Sequence, residues 1–202
     1  GFYAIMTLVV YNIYTNMRRN SQMKKFSVKT VVAIGIGAAL FFVLGKIAIP
    51  SFVANTNISL QYAILAMFAT LFGPIAGALI GFIGHTLIDA TSYGPWWSWI
   101  IASAVVGAII GLMTMKLDLS DGFDKKKMIK FNIAQIVAHL VAWAVVAPVL
   151  DIVIYSEPVE KLFAQGLMAS IANIITTGVV GTLLLFAYSK TLVKKGSLNK
   201  ED

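Results

Sequence analysis

An all-α membrane protein, a bundle of six transmembrane helices, is the fold class this sequence predicts, and three observations predict it. Hydrophobic residues make up 58% of the 202 residues and charged residues only 12%, against about half and about a quarter in a soluble domain; the mean hydropathy is +0.83. The apolar residues gather into runs near the length that crosses a bilayer, about 20 residues. The lysines collect in alternate connecting segments. This composition excludes disorder, a coiled coil and an ordinary soluble enzyme. The absence of Cys excludes a disulfide framework, thiolate metal sites and Cys nucleophiles. The net charge of +7 would suggest nucleic acid in a soluble protein; here it reads as anchoring and orientation in a lipid bilayer, with no nucleic-acid partner.

The first clear span is Thr30 to Ile49, with Lys46 its one charge, stopped by Pro50, which lacks an amide hydrogen and crowds the preceding turn. A polar loop follows to Asn57. Ile58 to Phe72 is a shorter apolar run, Gly73-Pro74 is a turn signal, and Ile75 to Ala90 is the third run. Two runs joined so tightly form an antiparallel hairpin. Ser92 to Pro95 is a loop, after which Trp96, Trp97 and Trp99 cluster as interfacial aromatics do. The fourth run is Trp99 to Met115, the fifth Phe131 to Leu150 with Pro148 near its end, and the sixth Leu162 to Tyr188; residues 151–161 read as a loop.

Lys24, Lys25 and Lys29 precede the first span, Lys116, Lys125, Lys126, Lys127 and Lys130 lie between the fourth and fifth, and Lys190, Lys194, Lys195 and Lys200 follow the sixth. Six spans put these segments on one side, and the positive-inside rule makes that side, with both termini, cytoplasmic. Loops 50–57, 91–98 and 151–161 then face outward. Residues 1–22 stand apart. Phe2 to Tyr14 is apolar over only about 13 residues, is followed by Arg18-Arg19, and the chain reads naturally from Met23. Residues 1–22 are expected to be an upstream extension and 23–202 the six-span membrane domain.

Small residues recur at helical spacing. Ala33/Gly37 and Gly35/Ala39 pair in the first span, Gly73, Gly77, Gly81 and Gly84 run through the third, and Gly107 and Gly111 through the fourth. Helices in lipid associate by close approach, which small residues permit. For the third and fourth spans the expectation is packing within the bundle; in the first, Gly35, Ala38 and Ala39 could instead face a partner. Polar residues inside spans usually face an interior or a cavity. His85 and Asp89 share a face at i, i+4, either as a self-satisfied pair or as the polar end of a ligand cavity; a metal site is a weaker reading with one His and one carboxylate. Asn132, Gln135, His139 and Trp143 form one stripe, and Ser170, Asn173 and Thr177 another. Interhelical hydrogen bonding accounts for Asn132 and Gln135, while His139, Trp143 and Asn173 remain open to a ligand. The sequence carries no Walker A loop, HExxH, GxSxG or dinucleotide fingerprint, so no nucleotide site of its own and no catalytic residue is expected.

From about Met23 onward the chain resembles the substrate-binding S component of energy-coupling factor (ECF) transporters of the vitamin type. The resemblance rests on six short spans, on VVAIGIGAAL in the first, and on FGPIAGALIGFIGHTLIDATSYGPWWSWI, Phe72 to Ile100. The segment GHTLIDATSYGPWWSW is similar to a subgroup with a member assigned to hydroxymethylpyrimidine. The resemblance implies a capture subunit in the plasma membrane of a prokaryote. It binds a vitamin or precursor from outside and works with a transmembrane T component and two ABC-type ATPases, toppling in the membrane to deliver its load. It implies no cofactor and no enzymatic activity. Ala33, Gly35, Gly37, Ala38 and Ala39 match the surface that meets the T component, and loops 50–57, 91–98 and 151–161 match those that cover the ligand. Metal-specific members use a His-rich N-terminus, which this sequence lacks.

A stand-alone secondary transporter is the main rival, though inverted repeats and broken helices are not evident; a membrane enzyme using His85, Asp89 and His139, or a purely structural subunit, are weaker ones. The ligand is expected in the outer half of the bundle. Asn55, Asn57 and Gln61 would come from the first loop and the top of the second span, and His85, Asp89, Tyr93, Trp96 and Trp97 from the third span and its loop. His139, Trp143 and Asn173 would come from the last two spans. A small aromatic ligand needs stacking area and a few directed hydrogen bonds, which these residue types supply.

Overall fold

Helices form where the apolar runs are. In a computed structural model of the chain, residues 27–115 and 117–192 are described; the expectation for residues 1–22 lies outside them, as do Lys24, Lys25, Lys116, Lys194, Lys195 and Lys200. The chain divides into two units, 1–32 and 33–202. The first includes the opening of helix α1, Val28–Lys46, and the second holds the remaining elements. Strands β1, Ile49–Pro50, and β2, Asn57–Ile58, pair antiparallel. Helices α2, Gln61–Phe72, α3, Pro74–Ala90, and α4, Trp97–Thr114, follow, then α5, Lys125–Tyr155, and α6, Val159–Thr191. The protein is all-α in its core, with six helices among the described residues.

Four of the six, α1, α4, α5 and α6, are long and apolar enough to cross a membrane; α2 and α3, at 12 and 17 residues, fall short. At 1.5 Å per residue α2 reaches roughly 18 Å, against a hydrocarbon core of about 30 Å. The hairpin turn between them is a single residue. Gly73 sits at φ 90°, ψ −179°, a region essentially closed to side chains, and Pro74 opens α3 with its φ preset for a helix.

Several boundaries move. Helix α1 ends at Lys46, and the loop after it is a short ladder rather than open chain: Ile49 pairs with Ile58 and Pro50 with Asn57, while Ser51 N donates to Thr56 O at 3.0 Å. Asn55 makes the turn at φ 59°, which its short polar side chain tolerates. Helix α5 starts six residues before the apolar run expected at Phe131, because Asp124 caps it by accepting the Lys127 N–H at 2.9 Å. That bond is the leading cause holding the Asp124 carboxyl below the usual carboxylate range. At the other end, residues 151–155 are not the expected loop but the last turn of α5, in π register. Ile152 to Ile154 extend the apolar run, and the Asp151 charge that suggested a boundary is satisfied within the protein. Pro148 is absorbed because Ala142–Val146, just before it, is also a π segment; a proline crowds the carbonyl four residues back, and a π bulge displaces that contact.

Packing centres on α3 and α4. A side chain on Gly77 would strike the Gly107 carbonyl, one on Gly81 the Ser103 carbonyl, and one on Gly111 the Gly73–Pro74 backbone. The small residues of these helices are therefore the seam along which the two backbones touch. Phe41 of α1 fills the notch at Gly84, and Ile80 fills that at Gly37. Around this seam Leu65, Val106, Ile110, Trp143 and Leu185 complete a buried apolar core. On the opposite surfaces Leu112, Leu167, Val179 and Leu183 stand about 60% exposed, an apolar exterior suited to lipid rather than water.

Candidate functional site

A cavity of about 580 Å³ opens where the β1–β2 loop, the α3–α4 connection and the facing ends of α5 and α6 meet, within the usual size of a small-molecule site, about 300–1,000 Å³. The loop contributes Asn55, Thr56 and Asn57, the α3–α4 connection Tyr93 and Trp96, and α4 adds Trp99 one turn on. Asp151, in the last turn of α5, is on the cavity wall, and Glu157, Lys161 and Gln165 close the far side. Lys161 and Glu157 pair at 2.8 Å, and Gln165 Nε2 donates to Ala54 O at 3.0 Å, tying α6 to the loop. The lining thus combines indole and phenol faces with amides and one ion pair.

Two buried carboxylates organise the wall. Asp151 is 2% exposed. It accepts from Trp96 Nε1 at 2.8 Å, from Trp99 Nε1 at 3.0 Å and from the Ser98 hydroxyl. Tyr155, one turn further on the same face, stacks on Trp96 with centroids 4.1 Å apart, and its hydroxyl accepts the Trp97 N–H at 2.9 Å. Asp89 is fully buried; it accepts the Trp96 backbone N–H at 2.9 Å and the Tyr93 hydroxyl at 3.1 Å. Burial, then the Asp89 carboxylate, pushes the Tyr93 phenol up to about 12, so it stays a donor at physiological pH. Trp96 is held by backbone, indole nitrogen and ring face at once.

Behind this wall runs a buried polar network. His85 Nε2 lies 3.5 Å from Asp89 and its Nδ1 is 2.5 Å from Ser103 Oγ, which in turn meets the Tyr62 hydroxyl at 2.8 Å. Tyr62 lies edge-on to both His139 and Trp143, with centroids 5.5 Å apart in each case. Trp143 Nε1 donates to His139 Nδ1 at 3.1 Å, which assigns the proton of the neutral imidazole to Nε2, the donor to Thr177 Oγ1 at 3.1 Å. Trp143 also packs against Trp99 at 5.1 Å.

The residues expected at a site therefore divide. Asn55, Asn57, Tyr93 and Trp96 line the cavity. Asp89 and His85 lie one layer behind, supporting it. His139 and Trp143 are fully buried deeper still, and Asn173, 5% exposed on α6, is likewise off the lining. Gln61 is turned toward α1, where its side chain fills the space beside Gly45. Trp97 is 45% exposed and stacks on Phe82 at 6.3 Å, on the outer surface. Asn132 and Gln135 bond across to α6, at Thr182 and the Ile174 carbonyl, as interhelical bonding requires. Trp99 and Gln165 lie outside every expected part of the site, while Asp151, Glu157 and Lys161 fall in the 151–161 segment that the resemblance places over the ligand, without any one side chain being named. The signal that could have found Asp151 is Trp96-x-Ser98-Trp99, whose donors at one helix start need a common acceptor. On α1, Ala33, Gly37 and Ala38 are buried while Gly35 and Ala39 are exposed, with open space at Gly35. Among the described residues no three His, Asp or Glu side chains gather as a metal site would need.

Residues 25–190 match the model of the family described as ECF-type riboflavin transporter, S component. UPF0397 proteins of Staphylococcus aureus strains JH9 and N315 are each 52% identical over 184 residues, covering 89% of this chain and 100% of each relative. The UPF0397 protein of strain Newman is 51% identical over the same shares.

Proposed function

The chain belongs to the S-component family of ECF-type transporters, membrane-embedded substrate-binding subunits rather than enzymes, and from that premise we propose that it captures a vitamin or vitamin precursor outside the cell for an ABC-type importer. Our reading of the substrate is hydroxymethylpyrimidine. The cavity carries this proposal: its Trp96 and Trp99 faces suit a flat ring, and the amides of Asn55 and Asn57 suit ring nitrogens and an exocyclic amine. The name of the matching family makes riboflavin the comparison ligand.

Delivery depends, in this reading, on a transmembrane T component and two ATPases, in the plasma membrane of a prokaryote. Gly35 and Ala39, exposed on α1, are the small residues free to meet the T component. Ala33, Gly37 and Ala38 serve the chain's own packing. Purified chain titrated with hydroxymethylpyrimidine and with riboflavin tests the substrate, and vesicle uptake tests the mechanism. The chain alone should bind but not accumulate ligand, with or without an ion gradient, and accumulation should need the T component, both ATPases and ATP. Uptake by the chain alone against a gradient would establish the rival reading, a secondary transporter.

A further inference from the structure

Among the described residues Asp151 is the one side chain that touches both tryptophan walls of the cavity through their nitrogens, and it does so from the last turn of α5 across to the start of α4. Its Oδ1 accepts from the Trp96 indole and the Ser98 hydroxyl, and its Oδ2 from the Trp99 indole. All three neighbours act as donors, so the group serves purely as an acceptor, the role of a carboxylate. No cation forms an ion pair with it among the described residues; Lys161, the lysine on the cavity wall, is committed to Glu157 at 2.8 Å. Two consequences follow. Each indole is fixed in rotation by a charge-assisted bond, and one in-plane bond to an anion draws electron density toward the ring face, the face that a stacked ligand meets. Tyr155 stacks on Trp96 at 4.1 Å and Trp143 packs against Trp99 at 5.1 Å with the rings inclined at 46°, so each ring has an aromatic neighbour as well as the bond to Asp151.

We propose that Asp151 is a positioning residue for the ligand site: it holds Trp96 and Trp99 as electron-rich walls and makes the cavity select uncharged or cationic heteroaromatic rings over anionic ones such as phosphate esters. This rests on the reading that the cavity is the ligand site. It assigns Asp151 an action through the indoles, distinct from a direct contact with ligand. An Asp151→Asn side chain has the same shape, but its amide nitrogen presents a donor to a donor, so one indole loses its acceptor and the negative charge is gone.

The test uses the full chain in detergent with hydroxymethylpyrimidine and its phosphate ester as probes. The wild type should prefer the uncharged probe by tenfold or more. Asp151→Asn should weaken that probe at least tenfold and narrow the preference. In a Trp96→Phe/Trp99→Phe background the same substitution should change affinity less than threefold, because the groups it acts through are gone; single Trp→Phe cycles carry the comparison if the double variant does not express. Unchanged affinities in a folded Asp151→Asn protein, or losses that simply add in the combined variant, would overturn the proposal. If the wild type binds neither probe, the substrate reading fails. Near-ultraviolet circular dichroism then decides Asp151 separately: loss of the tryptophan bands with the helical signal retained supports its positioning role, and unaltered bands overturn it.

Discussion

Asp89 and Asp151 show how two acids of similar burial take different duties. Asp89 sits within α3, and the i, i+4 spacing from His85 brings the two side chains to 3.5 Å. Its closer partners, however, are the Trp96 backbone N–H and the Tyr93 hydroxyl, so it staples the α3–α4 connection rather than facing the cavity. Asp89→Ala leaves the Trp96 backbone N–H without its acceptor, an omission costing about 1–3 kcal/mol where the group is shut off from water, and releases the hydroxyl of Tyr93, a residue 75% exposed, to solvent. The expected outcome is a protein that melts several degrees lower and binds ligand more weakly through a loosened Trp96. A thermal-shift series with and without ligand checks it: unchanged melting would remove Asp89 from this role. Asp151, by contrast, is part of the cavity wall itself, and its substitution is expected to act on ligand preference before stability.

At the scale of elements, the α3–α4 seam and the exposed side of α1 carry the same kind of residue for opposite reasons. Gly77 touches the Gly107 backbone, whereas Gly35 meets open space. Gly77→Leu should therefore cost about 3 kcal/mol of bundle stability, the upper part of the usual overpacking range, since backbone cannot yield as a side chain can. Gly35→Leu should leave folding and ligand binding intact and weaken co-purification with the T component. Size-exclusion profiles and pull-downs read the two effects side by side; a Gly35→Leu protein that assembles normally would move the docking face off α1. The π segments belong to this scale too. Ala142–Val146 accommodates Pro148, and Asp151–Tyr155 ends α5 with its carboxylate and its phenol ring on the tryptophan wall.

For the whole molecule, the short α2–α3 hairpin constrains the topology. Whether it crosses the bilayer fully or enters and returns, it comes back to the side from which it started, because one residue joins its arms. Four complete crossings or six would leave the same parity, and in either case the basic stretches of the sequence before α1, between α4 and α5 and after α6 are expected to share one face of the membrane. We expect that face to be cytoplasmic. The chain has no Cys, so single introduced thiols report sides cleanly. Phe52→Cys, at a position 92% exposed in the β1–β2 loop, should react with an impermeant maleimide added to intact cells. Lys126→Cys, at the start of α5, should react after the membrane is opened. The reverse labelling pattern would invert the orientation.

The sequence by itself determined the membrane class, the six helices and the Gly73-Pro74 turn, because hydropathy and backbone constraints are local properties that survive without knowledge of neighbours. It also brought forward Asn55, Asn57, Tyr93 and Trp96, which lie on loops and an interface that composition marks. It could not decide which face of a uniformly apolar helix points inward. In lipid both faces are hydrophobic, so amphipathic periodicity carries little signal, and Gly35 and Gly37 look alike until Ile80 is found against one of them. Nor could it place Asp151: a charge after an apolar run reads as the end of a span, and only the arrival of two indoles and a hydroxyl from the α3–α4 connection and the start of α4, more than fifty residues earlier in the chain, keeps that charge inside the helix and turns it toward the cavity.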